Sequence, residues 1–303
     1  MKSLNYDMNA CIKIIFLLLL FHQLSQNKTF AQNNSLTYED YSQFYVDRPG
    51  IADSPYIIGI NQWQVETGVD YFYRNDKQRW NIPTTFIRTG LTPNTELRIS
   101  AKFIQEDSLV NQQVMADYRV LGLGYMTIGI KTVLLPQKEH APQIALLADI
   151  YLPFIGENTF RPLNSGHDII VLFDQPLTSK MGLNYNIGAI WEGFKLNPVW
   201  TYSLCLNITI AKKWATFVEH YAFLEENGTE EYGGDVGIMF VPKNYIQLDI
   251  SAGTSFIQEK QYHFTSAGIS FKIDRHKNKV LYGKKEPHYS IHHRAYHNSY
   301  MGR

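Results

Sequence analysis

From Gln62 to Tyr73 the chain reads QWQVETGVDYFY, and it alternates. Trp63, Val65, Thr67, Val69, Tyr71 and Tyr73 fall on one face, and Gln62, Gln64, Glu66, Gly68 and Asp70 on the other. A period of two marks a strand with one apolar and one polar side. Ile246, Leu248, Ile250 and Ala252 oppose Gln247, Asp249, Ser251 and Gly253 in the same way. Followed along the chain, this period predicts twelve strands, at 60–74, 80–91, 95–105, 114–134, 142–153, 167–176, 181–192, 197–211, 213–225, 231–241, 245–257 and 262–273.

The joins alternate too. After even-numbered strands they are mostly tight, such as TPN at 92–94 and PKN at 242–244. After odd-numbered strands they are mostly longer and polar: NDKQR at 75–79, GENTFRPLNSG at 156–166, NGTEE at 227–231. Short turns at one end and long loops at the other fit an antiparallel transmembrane β-barrel of the bacterial outer-membrane type.

The polarity of the two faces separates this from a soluble barrel. With Trp63, Leu97, Ile99, Phe103, Ile128, Ile130, Leu204 and Ile269 outward, the charged residues turn inward. They include Glu66, Asp70, Arg88, Glu96, Arg98, Lys102, Asp117, Arg119, Lys131, Asp149, Asp168, Asp174, Glu219, Asp235, Asp249 and Lys272. His220 is the clearest polar residue left outside. A lipid-facing Arg or Lys costs about 2–4 kcal/mol at the bilayer midplane, so their removal from one face indicates lipid there. Trp80, Trp191, Trp200 and Trp214 fall near strand ends, where rings form interfacial girdles.

Composition adds limits. Formal net charge is zero over 303 residues, which gives a nucleic-acid partner no electrostatic support. The two cysteines are Cys11 and Cys205, and Cys11 lies in the N-terminal apolar stretch. That stretch, Ile14 to Phe21 behind Lys2 and Lys13, ends in TFA with small Thr29 and Ala31, the pattern of an export signal. The expected division is a signal peptide at 1–31, an N-terminal periplasmic or plug segment at 32–58, a barrel at 59–273, and a basic tail at 274–303. The tail carries His288, His292, His293 and His297, but in no ligand spacing that specifies a metal. No GxSxG, HExxH or GxxxxGK[ST] occurs, so neither an enzyme nor a cofactor or metal site is expected.

The stretch Asp47 to Tyr73 resembles the opening of an outer-membrane transporter-like family named for the putative meta-pathway of phenol degradation. Asp47, Arg48 and Pro49, then Ser54 and Pro55, then Glu66 and Gly68 carry the likeness. Arg88, Gly90, Glu96 and Arg98 follow in IRTGLTPNTELRIS, then Lys131, Glu219 and Asp249, then the closing AGISFKI. Thr89 stands where the family often has Tyr. The resemblance spans roughly 45–273. It implies a barrel with outer-membrane lipid around it, placed by the barrel-assembly machinery, passing small and often hydrophobic or aromatic solutes without a cofactor.

Two questions stay open at this level. The inward charges Glu66, Arg88, Glu96, Arg98, Lys131, Glu219 and Asp249 suit a polar conduit or a closed ion-pair network. The non-periodic YVDRPGIADSP, 45–55, suits a linker or a plug. Pro49 and Pro55 keep it out of a ladder interior. As a plug it would cross the periplasmic mouth, with Asp47 and Arg48 pairing to charges such as Arg98 or Glu66.

Overall fold

The computed structural model describes residues 44–110, 113–115, 119–138, 141–226, 228–258 and 260–274. The expected export signal and the His-rich tail, and with them Asp117, lie outside the described residues.

The strands are β1 Gln62–Arg74, β2 Lys77–Thr92, β3 Thr95–Val110, β4 Gln113–Val114, β5 Val120–Leu135, β6 Gln143–Leu152 and β7 Gly166–Pro176. They continue as β8 Met181–Trp191, β9 Val199–Ala211, β10 Trp214–Glu225, β11 Glu230–Lys243, β12 Ile246–Ile257 and β13 Lys260–Asp274. Twelve of them close into an antiparallel barrel: neighbours pair in order, β3 pairs with β5, and β13 returns to β1. Closure leaves no unpaired edge, which a bilayer requires.

Two expectations change. The single strand expected at 114–134 is two elements, because β4 folds back on the end of β3 and pairs only Leu109 and Val110. The expected loop at 75–79 shrinks to Asn75–Asp76, and β2 begins at Lys77. The cause is ionic. Lys77 and Arg79 both reach Glu106 of β3, at 2.6 and 2.5 Å, and this carries the ladder outward. The loop-length asymmetry therefore rests mainly on 111–119, 153–165 and 192–198.

The faces fall as the alternation requires. Ile250 is 59 % exposed and Val218 51 %, while Glu66, Arg88, Glu96 and Lys131 are fully buried on the lumen side. His220 is outward and bonds the hydroxyl of Tyr202 through its Nε2 at 3.1 Å.

The wall is irregular at one height. Register slips occur between Gly68 and Asp70 on β1, between Asn81 and Thr84 on β2, and between Ala101 and Phe103 on β3. Pro83, which has no N–H to donate, sits in the β2 interruption. Behind these slips is a lumen cavity of about 280 Å³, lined by Asp70, Phe72, Phe86, Lys102, Tyr125 and Asp149 among others.

Candidate functional site

Residues 44–59 do not join the wall, and Ile60 makes only an isolated bridge to Gly90 of β2. They fold into the barrel at its short-turn end as a loop closed on itself. The rings of Tyr45 and Tyr56 stack with centroids 3.8 Å apart, and the amide and hydroxyl of Ser54 donate to Asp47 Oδ1 at 3.1 and 2.9 Å. The loop brings Asp47, Arg48, Pro49, Ser54 and Pro55 together inside the barrel, with Arg48, Ser54 and Pro55 buried.

An irregular segment inside a barrel carries backbone donors and acceptors that no ladder satisfies. Here the wall satisfies them. Glu66 accepts the amides of Asp47 and Arg48 at 3.0 and 3.2 Å. Glu219 accepts those of Ile51 and Ala52 at 2.7 and 2.6 Å, and Glu96 that of Ile58 at 2.7 Å. The carbonyls are met by donors in the same way. Gln64 reaches Tyr45 at 2.6 Å, Lys131 reaches Ser54 at 2.8 Å, Gln143 reaches Pro55 at 3.0 Å, and Asn186 reaches Asp53 at 3.0 Å. Ala52 packs into a small apolar cluster with Cys205, Ala215, Phe217 and Met239.

The ionic centre is Asp47. Its Oδ2 lies 2.8 Å from Lys131 Nζ, 3.0 Å from Arg98 and 3.2 Å from Arg88. Arg88 in turn forks onto Glu66 at 2.8 Å and Glu96 at 2.9 Å, and Arg98 holds Asp53 at 3.0 Å. Burial alone would raise the Asp47 carboxyl. The charges of Arg88, Lys131 and Arg98 outweigh it and hold the group well below the usual carboxylate range. Asp53 forms an ion pair with Arg98 alone, and burial pushes it up to about 6 against that pull.

Arg48 finds different partners from those expected. It does not pair with Glu66, which is occupied by Arg88 and Gln64. Its guanidinium faces Asp249 at 3.4 Å and Asp70 at 3.6 Å, and donates to Ser266 at 2.7 Å. It fits there because Gly68 and Gly268, opposite each other in the β1–β13 pairing, lack side chains. A Cβ on either would come within 2.4 Å of the guanidinium.

The seven wall residues read from the sequence thus converge on this segment. Glu66, Arg88, Glu96, Arg98 and Lys131 do so on β1, β2, β3 and β5, Asp249 from β12, two strands beyond β1, and Glu219 from β10. Sequence reading missed the neutral donors Gln64, Gln143, Asn186 and Gln247. Their inward position in the alternation was the available signal. Above the segment, Lys102 lies over the Tyr125 ring, 4.5 Å from its centroid. Of the described histidines, His220 bonds Tyr202 and His167 stacks on Trp191.

A family profile described as "Putative MetA-pathway of phenol degradation" matches residues 46–273. No curated protein matches the chain. Among solved structures, the COG4313 outer membrane channel from Pseudomonas putida F1 is similar at a TM-score of 0.58 and 11% identity. The match covers 74% of this chain and 99% of that one. The NanC porin aligns at a TM-score of 0.49 and 6% identity, over 69% of this chain and 100% of that one. At these identities the likeness is one of fold.

Proposed function

The chain belongs to this putative MetA-pathway of phenol degradation family, and from that premise we propose that it is an outer-membrane channel for passive passage of small solutes, governed by the segment 44–60. One observation carries the reading. The segment fills the short-turn mouth, which faces the periplasm if the N-terminus is exported, and the cavity of about 280 Å³ lies above it. Phe72, Phe86 and Tyr125 in the cavity wall suit the apolar body of a small hydrophobic or aromatic solute, and Lys102, Asp70 and Asp149 suit a polar end.

A second reading is a closed structural or surface-binding barrel. The buried ion-pair network around Asp47 favours it. Planar-bilayer conductance and liposome swelling separate the two. The full chain should conduct weakly or intermittently, and a variant lacking 45–55 should conduct more and admit larger solutes. Silence of both assembled proteins across many solutes would leave the closed barrel standing.

A further inference from the structure

Strands β6 to β12 send six buried acids inward: Asp149, Asp168, Asp174, Glu219, Asp235 and Asp249. The same strands hold a single Lys or Arg, Lys243 at the end of β11. Most of these acids borrow a donor. Asp174 accepts the Tyr56 hydroxyl at 2.5 Å, Asp168 accepts that of Tyr151 at 3.0 Å, and Asp249 faces Arg48 at 3.4 Å. Glu219 takes the two amides of the inward-folded segment.

Asp235 has no such help. It is 4 % exposed, and among the described residues its carboxylate oxygens meet no donor other than the facing carboxyl of Glu219. It stands directly opposite Glu219 in the β10–β11 pairing. Side chains so placed have Cβ atoms roughly 4.5–5.5 Å apart, so the two carboxylates lie within reach of each other. No Lys or Arg forms an ion pair with either among the described residues. Two bare carboxylates side by side in a dry site are strongly unfavourable, so the pair needs a shared proton or a cation between them.

The rest of this wall also offers acceptors. One row of register partners runs Asp174, Asn184, Cys205, Glu219, Asp235 across β7 to β11. Asn184 Oδ1 is buried in it without a partner, and so, one step off the row opposite Gly237, is Ser251 Oγ on β12.

We propose that a small monovalent cation, an alkali ion or a primary ammonium group, binds in the lumen between Glu219 and Asp235. Its charge takes the place of a shared proton, and its coordination or N–H donors meet oxygens of Asp235 that otherwise face only the Glu219 carboxyl. The chemistry favours a low-charge, oxygen-seeking ion. Among the described residues no cluster of three His, Cys, Asp or Glu side chains is placed to hold a transition metal.

The test is thermal melting of the detergent-solubilised full chain, followed by loss of β circular dichroism. It is run in potassium, methylammonium and tetraethylammonium chloride at equal ionic strength. A compact cation that binds only the folded barrel raises its melting temperature, and bulky tetraethylammonium cannot enter. The expected shift is about 2–4 °C in potassium or methylammonium over tetraethylammonium. A shift in potassium alone identifies an alkali ion, and one in methylammonium alone an ammonium group. The shift should disappear in Asp235→Asn, and in Glu219→Gln, which carries the test if the first variant does not assemble. Equal melting in all three salts overturns the proposal, as does a shift that survives both substitutions. The readout needs no conduction, so a silent channel leaves it intact.

Discussion

The two sides of the barrel wall solve burial of charge differently. On β1 to β5, acids and bases are mixed, and each buried charge meets its opposite within the wall or through Asp47 and Asp53. On β6 to β12 the buried charges are all acidic, and they are met by hydroxyls, by backbone amides and by Arg48 of the inward-folded segment. The first side is a network that the segment completes. The second is a set of acceptors that the segment only partly fills. The same alternation builds both, so the difference lies in which charges occupy the inward positions.

Removing Asp47 breaks the comparison most severely. Asp47→Ala takes the shared acceptor from Arg88, Arg98 and Lys131, leaving buried cations undercompensated at a cost of about 3–5 kcal/mol. The segment should leave the mouth. Conductance should rise, and chymotrypsin should cut after Tyr56, which is protected in the parent.

A paired substitution sharpens the contrast. Glu66→Gln removes a carboxylate that bonds Arg88 at 2.8 Å and should cost about 2 kcal/mol. Glu219→Gln removes one with no Lys or Arg ion pair among the described residues, keeps an oxygen for Ile51 or Ala52, and should cost less than about 1 kcal/mol. Urea midpoints of the two variants in the same detergent measure the difference. Equal losses would show that the two sides are held in the same way.

Acidification gives the smallest effect, and its sign changes. Asp53 titrates near 6 when docked, above its ordinary value of 3.8, so protons favour the docked segment as pH falls from 7 to 5. Asp47 is held well below 3.8, so its contribution persists down to that value and is lost only in stronger acid. Conductance should therefore fall slightly from pH 7 to 5 and rise below about 4. Recordings across that range check the turn. A steady rise from pH 7 downward would contradict it.

Much of this was legible in order of residues. Trp63, Val65 and Val69 against Gln64, Glu66 and Asp70 place one face in lipid and one in the lumen, because a strand turns its side chains by half a circle at each step. Asp47 beside two prolines marks a charged segment unable to enter a ladder. Loop lengths were read less well. Lys77 and Arg79 look like a polar loop until Glu106, on another strand, makes them part of one.

The sequence by itself determined the strands, the lipid and lumen faces, and the presence of a rigid charged segment before the first strand. These follow from local period and from the cost of charge in lipid. The tertiary structure alone decided who pairs with whom. Arg48 and Asp249 lie 201 residues apart, and they meet because closure of the barrel sets β12 beside β13 and β13 beside β1. Closure also sets Gly68 opposite Gly268 and leaves room for the guanidinium between them. Such neighbours are fixed by register around a ring, and no local pattern carries that information.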